Sequence, residues 1–541
     1  MRPQRLLQIG LVALVAALAA GAISVHAAPR AQTTLNVRLS NDYPSLDPMV
    51  DATNAYGWAA ITPGYDRLVT VNANGNGFGP YLATSWVQKP KSITFHLRRD
   101  ATCTDGHVLT AVDILNSIKR FIFVPKRGGS PASTSAGGWG PGPYHLHADN
   151  KTATLSLAVD KPWSALLGLF AGLPVICPAG LTALQSNPHA LENAVYGSGP
   201  YQLVSATHGN QIVWKLRPNW NWGPTGTSTK TMPTNLVYKI VTDPTTAANE
   251  FLTGQLDAGA MTGPDVNRLL SNSALQHVSA ANWVVAGVDF NMRPGSVFAL
   301  GSGDALRAAI YTAVDPNTFN QVVYAGRATV TPSIFRPTMA CFDPKTKTLA
   351  PKPSISAAKA ILQKAGYTLV NGRLSKNGTP VPKLNLVSTS SFYPNGGAYV
   401  LSVLQQLGFD VQLNDLGSTY GPVVIAGNFD LEMFYANRPS PEPGTQANAE
   451  FGPPSPAGAN IGDTGAGDPL WTKYYNAGLQ NVGAGRCRYF ALVQEDNIKN
   501  HYFVPLVSPN YDIFYRKSLI SKFPSWPPEV FGFPWHYVSV G

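Results

Sequence analysis

The stretch PYLATSWVQKPKSITFHLRRDATCTDGHVLTAVDILNSIKRF, residues 80–121, contains a strand and a helix that its pattern predicts directly. Residues 93–97 alternate apolar and polar side chains, the period of two that is typical of a strand with one buried face. Thr110 and Asp113 have the spacing of a capping box, which predicts the start of a helix. That helix carries an apolar stripe formed by Ile114, Leu115, Ile118 and Phe121. A strand and a helix in such close succession indicate an α/β structure.

Short strands and helices alternate in the same way along the rest of the chain, without an internal repeat. Further helices are predicted at 356–365 and 398–407, because each pattern ends at a glycine that can act as a helix stop. Two stretches rich in glycine and proline, at about 125–144 and 438–468, are predicted to be long surface loops. The predicted fold class is therefore α/β, with mixed sheets flanked by helices.

The first residues have the composition of a secretory signal. Arg2 and Arg5 precede an uncharged apolar run over residues 6–23, and Val25-His26-Ala27 offers a small-x-small cleavage site. We expect residues 1–27 to be removed on export. No cysteine lies near the cleavage site, so an N-terminal lipid anchor is not expected. An uncleaved membrane anchor remains the alternative, because the apolar run approaches the roughly 20 residues of a membrane-spanning helix.

Length and composition favour an exported protein with several domains. The 541 residues suffice for two to four domains of roughly 100–200 residues each. Charged residues make up only 13% of the chain, against about 25% in average soluble proteins, and 50 Gly and 45 Pro indicate many turns. The net charge is +10, but the basic residues are scattered. A nucleic-acid-binding surface is therefore not expected.

Four cysteines, at positions 103, 177, 341 and 487, follow the signal. An even number in an oxidising compartment predicts two disulfides, and the absence of a C-x-x-C spacing argues against a zinc or redox site. Three pairings are possible on these grounds alone.

Motifs in a defined order extend over almost the whole chain after the signal. The opening is SLDPMVDATNAYGWAAITPGYDRLVTVNANG, and residues 80–121 then contain L-A-x-S-W, F-x-L-R and D-G-x-x-x-T-A-x-D. GSGPYQL, LRPNWNWG, FLTGQLDAG, LRAAIYTAVDPNTF, AKAILQKAGY and VLQQLGFDVQL follow in turn. Together they resemble family 5 of the bacterial extracellular solute-binding proteins, the oligopeptide-, dipeptide- and nickel-binding type that serves ABC importers.

The resemblance implies a two-lobed periplasmic-binding-protein fold of the class II or cluster C type, with an additional small domain and a hinge between the lobes. The chain would cross between the lobes near Gly287 and Ser508. The implied division is a first lobe from 28–70, 196–287 and 508–541, a small domain at 71–195, and a second lobe at 288–507. Because this division places two cysteines in each of two parts, it implies the disulfides Cys103–Cys177 and Cys341–Cys487.

The resemblance also places the ligand in the cleft between the lobes, where a peptide is bound much as an added strand. Peptide binders of the family pair the amino terminus of the ligand with an Asp in a segment like W-x-A-D-Y-x-D-P. The matching segment, FDLEMFYANRPSPEP, has Pro439 at that position. An ordinary free-amine peptide is therefore not the expected ligand, although Glu442 is an alternative carboxylate. Arg438 would suit a carboxylate, a phosphate or sugar hydroxyls.

Other candidate contacts follow from their position in these motifs: the residues after the L-D-P turn, a tryptophan in the glycine-rich loop, and tyrosines in segments that line the pocket of the family. A plain turn or a packing role is the alternative for each of them. The candidate ligand-binding residues are Asp51, Ala52, Thr53, Trp139, Tyr393, Tyr435, Asn437, Arg438 and Tyr511.

An enzyme is the main alternative from another class. The chain has no G-x-S-x-G elbow, no H-E-x-x-H helix and no phosphate loop, so neither catalytic residues nor a cofactor are expected. His145 and His147 could bind a metal from one strand face, but an ordinary surface strand is the expected role and no metal site is predicted.

We therefore predict a monomeric solute-binding component in the periplasm or on the cell surface. Its partners would be a peptide or small-molecule ligand and an ABC permease in the inner membrane, with no nucleic acid. The same fold binding an oligosaccharide or another non-peptide nutrient remains an alternative, and a secreted enzyme is a more remote one.

Overall fold

The computed structural model describes residues 33–51, 59–72, 77–123, 143–225, 227–280, 284–390, 392–436, 442–444, 468–481, 483–524 and 535–541. Residues Thr33–Gly541 form one compact unit. The signal predicted over 1–27, and most of the two predicted loops, lie outside the described residues. Within the described ranges, no helix is both long and apolar enough to cross a membrane.

The strands of the described residues are, in chain order, β1 (Thr34–Leu39), β2 (Val69–Val71), β3 (Phe78–Pro80), β4 (Ala83–Lys89), β5 (Ser92–Leu97), β6 (Tyr144–Asp149), β7 (Thr154–Val159), β8 (Tyr201–Thr207), β9 (Gln211–Leu216), β10 (Asn235–Ile240), β11 (Ala258–Met261), β12 (Leu275–Ala280), β13 (Val285–Phe290), β14 (Thr329–Val330), β15 (Tyr367–Val370), β16 (Arg373–Lys376), β17 (Thr379–Pro380), β18 (Leu384–Ser388), β19 (Val411–Asp415), β20 (Leu431–Ala436), β21 (Phe503–Ser508), β22 (Tyr511–Arg516), β23 (Ile520–Lys522) and β24 (Ser539–Val540). They form three large sheets and three small ones, and the large sheets have the orders β12-β22-β11-β1-β10-β9-β8, β14-β21-β13-β20-β18-β19 and β4-β5-β7-β6.

The α-helices of the same residues are Pro48–Asp51, Ala111–Phe123, Leu166–Gly172, Pro178–Ser186, Pro244–Thr253, Val266–Leu270, Asp304–Ala313, Pro316–Tyr324, Thr346–Leu349, Ile355–Lys364, Gly396–Gln406, Tyr420–Ile425, Pro469–Gln480 and Cys487–Asn500. Short 3₁₀ helices lie at Gly417–Thr419, Gly483–Arg486 and Trp535–Tyr537.

Local sequence signals determine several of these elements. The predicted strand at 93–97 is confirmed as part of β5, and its apolar side chains are buried. The capping box is confirmed as well, since the Thr110 backbone N–H donates to Asp113 Oδ2 at 2.9 Å and the Asp113 N–H donates to Thr110 Oγ1 at 3.3 Å. The two later helices are confirmed at Ile355–Lys364 and Gly396–Gln406, each followed by a glycine with positive φ.

Three separate stretches of the chain build the seven-stranded sheet. In its centre β1 pairs in parallel with β10 and with β11, while β22 inserts in antiparallel orientation between β11 and β12. Helices Pro244–Thr253 and Val266–Leu270 pack on this part of the sheet. A strand from near the C terminus therefore completes a sheet that begins with the first described residues.

The six-stranded sheet begins at β13, which pairs with β20 on one side and β21 on the other. Gly287 lies inside β13 and pairs with Phe434 and Pro505. The crossing predicted near Gly287 thus lies within two residues of the start of β13 at Val285, and the implied division of the chain into lobes stays a prediction.

A buried ion pair joins two of the motifs noted in the sequence. Arg120, near the end of helix Ala111–Phe123, donates to both oxygens of Asp47 in the L-D-P turn, at 2.8 Å and 2.6 Å. Asp47 is fully buried and also accepts a hydrogen bond from the Met49 N–H. The pair thus fixes the turn that leads into helix Pro48–Asp51.

The structure contains the disulfides Cys103–Cys177 and Cys341–Cys487, with Cα atoms 6.1 Å and 4.6 Å apart. The first joins the segment before helix Ala111–Phe123 to the residue before helix Pro178–Ser186. The second joins the loop after β14 to the start of helix Cys487–Asn500. No free cysteine remains in the described residues.

We expect Arg120→Met to lower the free energy of unfolding by about 3–5 kcal/mol, because it leaves a buried carboxylate without its partner. Adding Asp47→Asn should recover part of this loss. Arg268→Met is the matched control, since the Arg268–Asp265 ion pair lies at the surface, where such pairs contribute about 0–1 kcal/mol. Urea unfolding measures all four proteins, and equal losses for Arg120→Met and Arg268→Met would contradict the prediction.

A buried carboxylate predicts a dependence of stability on pH. Burial raises the pKa of Asp66 to about 6 from 3.8, although Tyr81, Trp222, Ser198 and Arg217 act to lower it. The folded state therefore holds this proton more tightly than the unfolded state. The resulting stabilisation is present below pH 3.8 and is lost as the pH rises through about 6.

We expect Asp66→Asn to flatten the change in melting temperature between about pH 4 and pH 7, whatever its effect on stability at a single pH. Asp243→Asn is the control, because a hydrogen bond from the Thr246 backbone lowers the pKa of Asp243 and moves its titration below this window. Parallel melting curves for wild type and Asp66→Asn across the window would contradict the assignment.

Candidate ligand-binding cleft

Two chain segments connect the seven-stranded and six-stranded sheets. One runs from the end of β12 at Ala280 to the start of β13, and the other runs from the end of β21 at Ser508 to the start of β22. The Ser508 hydroxyl donates to the Val284 carbonyl at 2.6 Å, so the two segments lie side by side. Both connections between the two sheets are therefore adjacent, and a ligand can be enclosed between the sheets beside them.

Tyrosines lie at these crossing segments. Ala280 and Val284 form a small apolar cluster against which Tyr435 and Tyr511 pack. Tyr435 comes from the end of β20 in the six-stranded sheet, and Tyr511 is the first residue of β22 in the seven-stranded sheet. Side chains from both sheets therefore meet at the crossing.

Tyr435 is also the centre of an aromatic group on the side of the six-stranded sheet. Its ring centroid lies 4.6 Å from that of Tyr393 and 5.0 Å from that of Phe392. Its hydroxyl donates to the Phe392 carbonyl at 3.2 Å and lies 3.3 Å from the Tyr324 hydroxyl. The structure thus brings three predicted residues, Tyr393, Tyr435 and Tyr511, into one connected group.

The hydroxyl of Tyr393 differs from its neighbours. The residue is only 2% exposed, and its hydroxyl has no hydrogen-bond partner among the described residues. Burial, and then the nearby Tyr435, raise the pKa of Tyr393 well above its ordinary value, and burial raises that of Tyr511 to about 12. These phenols stay neutral at any physiological pH. Tyr393 therefore presents an uncharged donor and acceptor that a ligand could satisfy.

An ion pair links the two sheets near the same place. Asp512 of β22 accepts a hydrogen bond from Arg327 Nη2 at 3.0 Å, and its other oxygen lies 2.8 Å from His277 Nε2. Burial acts to raise the pKa of Asp512, but hydrogen bonds from His277 and Ser279 and the charge of Arg327 outweigh it, so the pKa is lowered. Arg327 follows helix Pro316–Tyr324, and its carbonyl accepts a hydrogen bond from Asn510 Nδ2 at 3.3 Å.

Glu442, the alternative carboxylate for a ligand amine, has a partner within the protein. Arg486 Nη1 lies 2.7 Å and 2.9 Å from its two oxygens, and the Gly444 N–H donates to it at 3.0 Å. The side chain is buried. Its negative charge is therefore balanced by Arg486 rather than directed to a ligand.

Five predicted site residues lie outside the described residues: Ala52, Thr53, Trp139, Asn437 and Arg438. Asp51 is the last residue of helix Pro48–Asp51, whose start is fixed by Asp47. All nine candidate residues, including the three tyrosines of the connected group, remain predictions as ligand contacts.

Several residues of the cleft carried no signal in the sequence. They are Tyr324, Phe392, Arg327, Asp512 and His277, and they come from distant parts of the chain. Of these five residues, Asp512 could have been identified from the sequence, because it directly follows the predicted site residue Tyr511 in a strand.

His145 and His147, which were considered as a possible metal site, lie in β6, and His145 contacts an aspartate. His145 of β6 lies 3.0 Å from Asp160 Oδ1, and both side chains are exposed. Among the described residues, no group of three or more His, Cys, Asp or Glu side chains is arranged to hold a metal ion.

Comparison with known proteins establishes the class of the protein. The chain belongs to the bacterial extracellular solute-binding proteins of family 5: the family described as "Bacterial extracellular solute-binding proteins, family 5 Middle" matches residues 77–455. The family resemblance predicted from the motifs is confirmed.

Individual relatives are distant. The chain is 24% identical over 408 residues to the dipeptide-binding protein DppE of Bacillus subtilis (strain 168), an alignment that covers 71% of this chain and 70% of the relative. It is 25% identical over 370 residues to the nickel-binding periplasmic protein of Escherichia coli (strain K12), covering 64% of this chain and 65% of that protein.

A solved structure shows the same fold. The ABC transporter-associated periplasmic binding protein DppA from Helicobacter pylori, in complex with peptide STSA, superposes with a TM-score of 0.79 at 19% identity. The superposition covers 94% of this chain and 98% of that chain. The predicted fold class, a two-lobed α/β periplasmic binding protein, is confirmed.

We expect Tyr393→Phe to weaken binding of the solute that co-purifies with the protein by about tenfold, equivalent to about 1.4 kcal/mol, without lowering the melting temperature. Removing a buried hydroxyl that has no partner among the described residues should cost the fold nothing. Tyr311→Phe is the matched control, because the Tyr311 hydroxyl is also buried without a partner but its ring packs on His501. Calorimetric titration of both variants with the recovered solute measures the effect, and equal affinities would contradict a ligand role for Tyr393.

Proposed function

We propose that this protein captures a peptide or peptide-sized solute between its two lobes and delivers it to an ABC permease in the inner membrane, without changing the solute chemically. The observation that carries the proposal is the meeting of tyrosines from both large sheets at the two crossing segments. A ligand held there would contact both lobes, so its binding energy would favour the closed state. Membership of the solute-binding family supports the same function.

The signal predicted at residues 1–27 supports export, and we propose that the mature protein works as a monomer in the periplasm. We propose that the seven-stranded sheet belongs to the first lobe, the six-stranded sheet to the second lobe and the four-stranded sheet to the small domain. The hinge would then lie next to Val284 and at 509–510, where the chain passes between the two large sheets.

The charges of the described residues favour a ligand without a bound ammonium group. Asp512 is paired with Arg327 and His277, and Glu442 is paired with Arg486. Glu432, the buried carboxylate whose charge acts on Tyr393, accepts a hydrogen bond from the Tyr420 hydroxyl. The tyrosines around Tyr435 are neutral. A buried ammonium needs a paired carboxylate, so the arrangement supports a peptide whose amino terminus is blocked or left in solvent. Residues 437–441, Pro439 among them, include no aspartate or glutamate in the segment that resembles the Asp-containing motif of the family's peptide binders, which supports the same conclusion.

A second candidate ligand is an oligosaccharide or a similar uncharged nutrient. The observation in its favour is the combination of aromatic faces and phenol hydroxyls at Tyr393 and Tyr435, a surface that suits uncharged polar ligands. The fold alone does not decide between the two candidates.

Native purification of the exported protein, followed by mass spectrometry of the released solute, tests the ligand class. The ligand-free protein is then titrated with a pool of tetrapeptides and with the same pool after N-acetylation. We expect acetylation to change the affinity by less than about threefold, because no carboxylate is assigned to the amino terminus.

Loss of binding by a factor of about 100 on acetylation, or recovery of free-amine peptides only, would overturn the argument from Pro439. Binding of neither pool, together with recovery of an oligosaccharide, would favour the second candidate. Titration with maltotriose then tests the second candidate directly.

A further inference from the structure

The two large sheets also contribute loops that touch each other. Gly263 follows β11 of the seven-stranded sheet, and Pro394 follows β18 of the six-stranded sheet. A Cβ atom added to Gly263 would lie 3.1 Å from Pro394 Cγ and 3.5 Å from Pro394 Cβ. The contact is therefore tight enough that the Cβ of a larger residue at position 263 would push against the Pro394 ring.

The backbone at Gly263 also favours glycine. Its φ is +86°, a left-handed conformation that glycine adopts readily and that other residues adopt at a cost. Gly295 offers a comparison, because its φ is +88° and no atom lies within 4 Å of an added Cβ. The two glycines share the same backbone requirement, but only Gly263 has a neighbour from the other sheet.

The loop at Pro394 belongs to the aromatic group of the cleft. Pro394 directly follows Phe392 and Tyr393, and the Phe392 carbonyl accepts the hydrogen bond from Tyr435. A Cβ on Gly396 would lie 2.9 Å from Tyr393 Cβ, so the loop is tightly folded on itself. A displacement of Pro394 would therefore move Tyr393 as well.

We propose that Gly263 and Pro394 form a closure stop, a contact that sets how closely the two lobes approach and thereby positions Tyr393 towards a ligand. The inference rests on the proposed function, since it assumes that the two lobes close on a solute. Gly263 is a positioning residue in this scheme and does not touch the ligand. A larger side chain at position 263 holds the lobes further apart and withdraws Tyr393.

An engineered cross-link tests the contact without any ligand. The 3.5 Å distance from the added Cβ of residue 263 to Pro394 Cβ lies within the range of about 3.5–4.5 Å found for disulfides. The four native cysteines are already paired with each other, so a new bond is readily identified by peptide mapping.

We expect Gly263→Cys combined with Pro394→Cys to form an intramolecular disulfide under mild oxidation even without a ligand, because oxidation traps the contact whenever the lobes close. Gly295→Cys combined with Pro394→Cys is the matched control, because it carries the same backbone strain without the contact. A yield for the first pair no higher than that of the control would overturn the proposal.

A second measurement tests the effect on closure. Spin labels at Leu252→Cys, on a helix of the seven-stranded sheet, and at Gln412→Cys, in β19 of the six-stranded sheet, report the distance between the lobes by pulsed electron paramagnetic resonance. We expect Gly263→Val to shift the shortest distances to larger values by more than the width of the wild-type peak, with and without the N-acetylated tetrapeptide pool. Gly295→Val should leave them unchanged.

The same two valine variants distinguish a failure of the closure stop from a failure of the proposed ligand class. If the pool binds wild type, we expect Gly263→Val to speed its dissociation at least tenfold and Gly295→Val to change it less than twofold. If the pool does not bind, the proposed ligand class fails while the cross-link and the distances still decide the stop. Identical shortest distances in wild type and Gly263→Val would overturn the stop even if the cross-link forms.

Discussion

Close packing of β13 against β21 at Gly287 is the constraint on which the rest of the structure depends. A Cβ at this position would lie 2.2 Å from the Val504 carbonyl oxygen and 2.5 Å from the Phe503 ring, so only glycine fits. The chain enters the six-stranded sheet through β13 and leaves it through β21. Keeping these two strands adjacent places both crossing segments side by side, where Ser508 bonds to Val284. Because the chain passes between the two sheets at these adjacent segments, a cleft can form between the sheets next to them.

The described groups that border the crossing divide into paired charges and neutral hydroxyls. Burying an ion without a partner is costly, and Asp512 accordingly has both Arg327 and His277 within hydrogen-bond distance. Arg327 lies in the loop before β14 of the six-stranded sheet and Asp512 in β22 of the seven-stranded sheet, so this ion pair also joins the two sheets. The hydroxyl of Tyr393 is buried and has no such partner among the described residues. Neutral groups of this kind select little for the charge of a ligand. The relatives of this chain likewise carry names as different as dipeptide-binding and nickel-binding protein.

Much of the fold could be predicted from the sequence because the signals are local. A capping box at Thr110 and Asp113, an alternating strand at 93–97 and glycine stops after two helices depend on residues within a few positions of each other. The motif order predicted the family as well, and the structure gives one of those motifs a physical reason. Asp47 of the L-D-P turn and Arg120 at the end of a helix form a single buried ion pair, although 73 positions separate them.

The candidate site could be predicted only in part. Tyr393, Tyr435 and Tyr511 were identified by their position in motifs, whereas Arg327, Asp512 and His277 had no local signal. The sequence by itself determined the strand and helix pattern, the family and the lack of an aspartate at position 439. Only the tertiary structure decided that Glu442 is paired with Arg486, that the buried Tyr393 hydroxyl has no partner in the part of the chain that is described, and that Gly263 meets Pro394. The physical reason is that pairing and close approach are properties of two surfaces brought together by folding, and neither surface encodes its partner in its own sequence.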